Sequence, residues 1–170
     1  MDRPDLPNNT YRSLSEEQAA FICSGLSITA SSRDGRFIPS ICRVLACAVN
    51  DSRNQLRIIV VKSQALQLLL DIKASAEIAV VFSQPSSHRT LQIKGKNTHQ
   101  SDIQDGDIAL IDQCIRGFAD NLASIGYPRE FAHAFHHYSP DDVAAISFTP
   151  VALFEQSPGP DAGKALAFGS

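Results

Sequence analysis

The sequence predicts a mainly β, α+β domain: an antiparallel sheet that curls or closes into a barrel, with helices at its periphery. Three features point there. About six apolar runs of strand length alternate with polar turn clusters, most links between neighbouring runs are of hairpin length, and helical spacing is confined to a few stretches between them. With 170 residues the chain can build one domain with a substantial core and is short for two. Its 44% hydrophobic and 19% charged residues are ordinary for a globular protein in water.

Residues 1–13, with Pro4, Pro7 and two asparagines, read as a loose arm. Ser15 and Gln18 make a capping-box pair ahead of Ala19, Ala20, Phe21 and Ile22, so a short helix starts there and stops at Gly25. Residues 26–49 read as a hairpin closed around Asp34 and Gly35, with Pro39 marking an edge or bulge. If residues 37–49 form one regular strand, Cys42 and Cys47 stand an odd number of positions apart and face opposite sides. The run LRIIVV is a third strand by its β-branched content. From Ser63 to Ser75 the spacing is helical, with Ser63 at the N-cap.

The stretch from Glu77 to Ser101 predicts the next hairpin. Its first run, IAVVF, is nearly continuous and suits a strand buried on both faces. Its second alternates, with Thr90, Gln92, Lys94 and Lys96 on one face and Leu91, Ile93 and Gly95 on the other. A cationic face in an apolar sheet has to meet water, a ligand or another subunit. Beyond it, Ile108, Ile111, Ile115, Phe118, Leu122 and Ile125 form one stripe of a long helix, and a shorter helix spans about Pro128 to His137. Residues 143–156 supply a last strand or pair of strands, broken at Pro150, and 157–170 an irregular tail, leaving 14–156 as the domain.

A net charge of −3 argues against nucleic-acid binding. No apolar run approaches the roughly 20 residues that span a bilayer, and the first residues lack a signal core, so the expected location is cytoplasmic, away from any membrane. Cysteines 23, 42, 47 and 114 form no C-x-x-C pair. They read as small buried residues in a reducing compartment, or for one of them as a reactive thiol.

Arg43 in an apolar strand, and Lys62, Ser63 and Gln64 where a strand hands over to a helix, have the chemistry of an anion cradle. The competing reading pairs Arg43 with a carboxylate and leaves Lys62 as a solvated strand end. His133 and His137 have metal-pair spacing, but Ala134 stands where a zinc peptidase has its glutamate and a third ligand is missing, so no metal site is expected. The pair reads as a solvated or interface helix, or as a haem ligand. The nucleophile elbow, the dinucleotide-binding glycine motif and the phosphate-binding loop are all absent.

From PSICRVLACAV through LRIIVVKSQALQLLLDIKASAEIAVVFSQPSSHRTLQIKGK, the chain resembles the FMN-binding split-barrel family, the pyridoxamine 5'-phosphate oxidase-like proteins, over about residues 14–100. The resemblance implies a six- or seven-stranded antiparallel split β-barrel. It implies FMN as cofactor, with the flavin phosphate held by Arg43, Lys62, Ser63 and Gln64 and the ring region contacted by Thr90 beside Arg89. The function it implies is a flavin-dependent oxidoreductase acting on a small molecule that the sequence does not name. Open alternatives are a non-catalytic flavin carrier or sensor, and a haem-binding split barrel using His88, His99 or the His133 to His137 cluster. No residue stands out as a general acid or base, so no catalytic residue is assigned. A homodimer with flavin sites between subunits is expected, from the Thr90–Lys96 polar face and the Ile108–Ile125 stripe.

Two departures from the family matter. Where members read Ser-Arg-Lys, this chain reads Ser63-Gln64-Ala65, and in place of an Arg-rich, substrate-binding segment it has PGPDAGKALAFGS. Pyridoxamine phosphate and pyridoxine phosphate are therefore expected not to be oxidised efficiently. A steady-state assay checks this, and kcat/KM at or above about 10⁴ M⁻¹s⁻¹ would contradict it.

Overall fold

The computed structural model describes residues 12–169. Most of the arm expected over residues 1–13 therefore lies outside the described residues. Ser15 caps the first helix as the sequence requires: its Oγ accepts from the Gln18 N–H at 3.1 Å, and the Gln18 side chain accepts from the Ser15 N–H at 2.8 Å. Helix α1 runs Glu16–Ile22. Strands β1 (Ser27–Arg33) and β2 (Pro39–Val49) form the first hairpin, closed where the Asp34 carboxylate accepts from the N–H groups of Arg36 and Ile38 at 2.8 and 2.9 Å. Then come β3 (Leu56–Val61), α2 (Leu66–Ser75), β4 (Ile78–Ser83), β5 (Thr90–Ser101), α3 (Asp107–Ser124), α4 (Arg129–Phe135), β6 (Val143–Glu155) and β7 (Ala165–Leu166).

Every strand pairing is antiparallel, in the order β3-β2-β1-β4-β5-β6-β7, and β3 also pairs with β6. Six strands thus close a barrel, as expected. The long β6 makes the closure. Its first half pairs with β3 from Val143 to Phe148, and its second half carries β7 on Leu153 and Phe154. Pro150 does not break β6 in two. Where Lys94 opposes Ala152 and Gly95 opposes Pro150, a bulge bends the strand instead. The tail expected to be irregular makes turns and then supplies β7.

Phe82, Phe148, Ile28, Val44, Ile58 and Ile93 fill the barrel, closed over by Phe21 and Ile22 of α1 and by Leu68 and Ile72 of α2. A second apolar cluster lies outside. There Ile111, Cys114, Ile115, Phe118 and Leu122 of α3 cover Leu45, Ala46, Ile59, Val61 and Val143.

Three expectations fail against this packing. Cys42 and Cys47 do not face opposite sides, because a bulge between Val44 and Ala46 inserts one residue and turns both into the barrel. Strand β4 is not buried on both faces: Ile78, Val80 and Phe82 point inward, while Ala79 and Val81 are half-exposed on the outer wall. The α3 stripe is not held for a partner subunit either. Apart from half-buried Ile108 and exposed Ile125, it is spent on this chain's own sheet.

Gly25, two residues past the C-cap of α1, sits at φ +77, and a Cβ there would stand 2.6 Å from the Gly117 Cα in α3. Gly25→Ala combines a left-handed backbone with a backbone clash, so a loss of about 2–5 kcal/mol is expected. Denaturant melts measure it, and an unchanged midpoint would mean that the turn after α1 and helix α3 do not meet at this pair.

Candidate functional site

The outer wall formed by β2, β1, β4, β5 and β6 carries two rows of side chains in register. One runs Arg43, Thr29, Val81, Gln92, Phe154, and the next runs Ile41, Ser31, Ala79, Lys94, Ala152. Small residues in the second row leave a groove of about 530 Å³, lined by Ser31, Ala79, Lys94, Lys96, Val151 and Phe154 among others. The Lys94 ammonium sits 4.9 Å from the centre of the Phe154 ring, and an Arg33–Glu77 pair at 3.1 Å marks one rim. Neither Lys94 nor Lys96 has a carboxylate partner among the described residues.

Arg43 sits at the β2 end of the first row. Its Nη1 donates to the Phe135 carbonyl at 2.8 Å, and its guanidinium lies 3.3 Å from the centre of the Phe135 ring. The end of α4 leaves carbonyls without helical partners, and a cation is stabilised there. This is not the carboxylate pairing of the competing reading, and a carbonyl and a ring leave the positive charge unneutralised.

The turn Lys62–Gln64 departs from expectation at its cap. Helix α2 starts at Leu66, not Ser63, with Ala65 at the N-cap and no side-chain capping bond. The Ser63 hydroxyl is engaged elsewhere: it donates to the Asp142 carboxylate, and the Ser63 N–H donates to Asp142 Oδ1 at 2.9 Å. The Lys62 N–H donates to the Asp142 carbonyl at 2.8 Å, while its ammonium has no ion-pair partner among the described residues. The turn therefore holds an anion, and the anion is this chain's own carboxylate.

Arg89 and Thr90 lie at the β4–β5 hairpin. Arg89 pairs with Glu17 at 2.8 Å and lies 4.3 Å over the Phe21 ring, so it docks α1. The Thr90 hydroxyl meets that of Ser83 at 2.9 Å, and the Thr90 N–H donates to Ser157 Oγ at 2.9 Å. The structure brings Arg43, Lys62 and Ser63 under one segment, Phe135 to Asp142. Gln92, the Thr90-side residue of Arg43's own row, is three strand spacings away from Arg43, roughly 14 Å along the sheet.

His133 and His137 do not share a helix, because α4 ends at Phe135. His136 is the buried histidine. Its Nδ1 lies 3.2 Å from the Ala132 carbonyl, and its ring meets Phe118 and Phe135 edge-on at 4.9 and 5.3 Å. Burial holds its pKa below the ordinary value, with the charges of Arg43 and His133 acting the same way and the Ala132 carbonyl opposing. The neutral ring therefore contributes stability that is complete above about pH 6.5 and is lost as pH falls from there through the lower folded pKa. Melting midpoints should fall faster below pH 6.5 or so in the wild type than in His136→Phe, and parallel curves would contradict this. His88 and His99 are exposed, and no group of three or more metal-ligating side chains occurs among the described residues. Nor is any helix among them long and apolar enough to cross a membrane.

Sequence reasoning passed over Asp142, Phe135 and His136. Asp142 had one local signal: a Pro-Asp-Asp turn just before a strand places a carboxylate at the mouth of the barrel.

No family sequence model matches the chain, and no curated protein matches it. Solved structures do. HupZ of Group A Streptococcus aligns with a TM-score of 0.52 at 13% identity, covering 88% of this chain and 100% of that one. An F420 reductase aligns at 0.52 and 17% identity, covering 82% and 98%. A protein of Lactobacillus delbrueckii assigned as a pyridoxamine 5'-phosphate oxidase aligns at 0.51 and 16%, covering 86% and 96%. Likeness at such identity is likeness of fold. With its six-stranded closure, one long strand bent to serve two neighbours and helices packed on the outer wall, the chain has the split β-barrel fold of the pyridoxamine 5'-phosphate oxidase-like proteins.

Proposed function

We propose that this protein binds FMN as a homodimer and uses it in a redox reaction on a small molecule. The observation that carries the proposal is the Lys62–Gln64 turn, whose Ser63 N–H and hydroxyl both donate to a carboxylate, next in sequence to a Lys62 ammonium with no ion-pair partner among the described residues. A donor set that grips a carboxylate also suits a phosphate oxygen, so the residues fit the group. Arg43, with no carboxylate partner among the described residues, supplies a second cation under the same segment. Bound flavin supplies the hydride and electron chemistry, while the protein grips the phosphate, orients the ring and sets the charge around it.

The dimer reading rests on the outer wall. Phe37 and Ile41 are 73% and 70% exposed, and Ile41 continues the row that floors the groove.

Titration with FMN followed by a visible spectrum tests the proposal. Saturable uptake with a perturbed flavin spectrum is expected. A Soret band in the purified protein, with no FMN uptake, would assign a haem protein instead, and a colourless protein that takes up neither would remove both readings.

A further inference from the structure

The groove on the outer wall has a charge opposite in sign to that of the chain that builds it. The protein carries a net charge of −3, yet Arg33, Lys94 and Lys96 line the groove against a single carboxylate, Glu77, which Arg33 already holds at 3.1 Å. Lys94 and Lys96 have no carboxylate partner among the described residues. The bulge in β6 brings a further cation to this wall. Where Lys94 opposes Ala152 and Gly95 opposes Pro150, Val151 is the extra residue, and its carbonyl accepts from Arg12 Nη1.

Beneath those charges the groove is apolar. Ala79 and Ala152 floor it, Val151 and the half-buried Phe154 ring flank it, and its volume of about 530 Å³ is that of a small-molecule site. Lys94 and Lys96 leave the same face of β5 roughly 7 Å apart along the strand, so one anion set between them meets both ammoniums. Gly95, between them, is turned inward against Phe148 and takes no room on the outer face. The Ser31 hydroxyl reaches the Ala79 carbonyl only at 3.4 Å, long for such a bond, and is free to turn toward a ligand.

We propose that this groove binds an aromatic carboxylate, with the flat ring on the Ala79 and Ala152 floor against Phe154 and the carboxylate between the Lys94 and Lys96 ammoniums. The floor and the two cations then act on different parts of one molecule. A bare phosphate would use only the cations, and an uncharged hydrocarbon only the floor. The site is distinct from the Lys62–Gln64 turn and rests neither on bound flavin nor on a second copy. Lys94 stands three strand spacings from Ile41, the exposed residue at the β2 end of its row.

2-Naphthoate and 2-naphthamide, its uncharged isostere, test this by fluorescence titration of the purified protein, which has no tryptophan to interfere. Saturable uptake of naphthoate is expected, about tenfold or more tighter than that of the amide and weakening as salt rises. Lys94→Gln and Lys96→Gln, both at exposed positions, should each weaken naphthoate about three- to tenfold and leave the amide unchanged. Ala79→Leu should block both probes by filling the floor, and Lys73→Gln, at an exposed position of α2 outside the groove, should behave as the wild type. Equal affinity for acid and amide, or naphthoate binding unchanged in both Lys94→Gln and Lys96→Gln, would overturn the proposal. So would a loss of naphthoate binding in Lys62→Ala without one in Lys94→Gln, which would put the anion at the turn. A protein that sediments as a dimer and takes up neither probe would overturn it as well, and would give the groove to the second copy.

Discussion

Asp107→Ala is expected to lower stability by about 3–5 kcal/mol and the melting temperature by roughly 6–20 °C. Asp107 and its partner Arg57 keep only 7% and 13% of their side-chain surface exposed. The Asp107 carboxylate accepts from Arg57 Nη2 and from the Gln104 N–H at 2.7 Å, while Arg57 Nη1 donates to Ser101 Oγ at 2.8 Å and Nη2 to the Asp102 carbonyl at 2.6 Å. One ion pair thus joins β3, the end of β5 and the first turn of α3. Without the carboxylate, a buried guanidinium has no counter-charge among the described residues, its Nε is already without a partner among them, and α3 loses the anion that its N-terminal dipole favours. Thermal and denaturant melts decide the matter. A double variant, Arg57→Met with Asp107→Leu, should recover much of the loss, because two apolar side chains need no partner. If Asp107→Ala melted within about 1 kcal/mol of the wild type, the pair would be worth no more than a surface salt bridge.

How much of this was readable in the residues depends on how far each determinant reaches along the chain. The capping box at Ser15 and Gln18 and the Asp34 turn depend on neighbours up to four positions away, and both stand as expected. The alternation of β5 also holds, because one wall of the barrel is wet and the other is packed. The start of α2 does not hold, since what draws Ser63 away from the cap is a carboxylate 79 positions later. The bulge in β2 leaves no trace in composition: one extra apolar residue in an apolar run looks like continued strand, yet it sets which way Cys47 faces. The α3 stripe showed that a face would be buried and said nothing about what would cover it. Sequence period reports burial, not the partner. For the same reason Arg43 was identifiable as an out-of-place cation, while the Phe135 carbonyl and ring that receive it, 92 positions away, were not.

Arg43→Ala and Lys62→Ala should each weaken FMN binding ten- to a hundredfold and leave riboflavin binding almost unchanged, since a charge-assisted contact to phosphate is worth about 1.5–3 kcal/mol and riboflavin has no phosphate. The comparison separates a phosphate grip from a general loss of structure, which would weaken both ligands alike. Asp142 supplies a third arm. In the structure its carboxylate takes the Ser63 N–H and hydroxyl that a phosphate would use, and two anions cannot share them. Asp142→Ala should therefore raise FMN affinity by removing the competitor, again with little change for riboflavin. The effect should be larger at low salt, where repulsion between carboxylate and phosphate is less screened. Isothermal titration of the three variants with both ligands checks all of this on one scale. Equal losses for FMN and riboflavin in Arg43→Ala and Lys62→Ala would place the phosphate away from both cations. Weaker FMN binding in Asp142→Ala would mean that the carboxylate holds the turn in shape and does not occupy the anion's place.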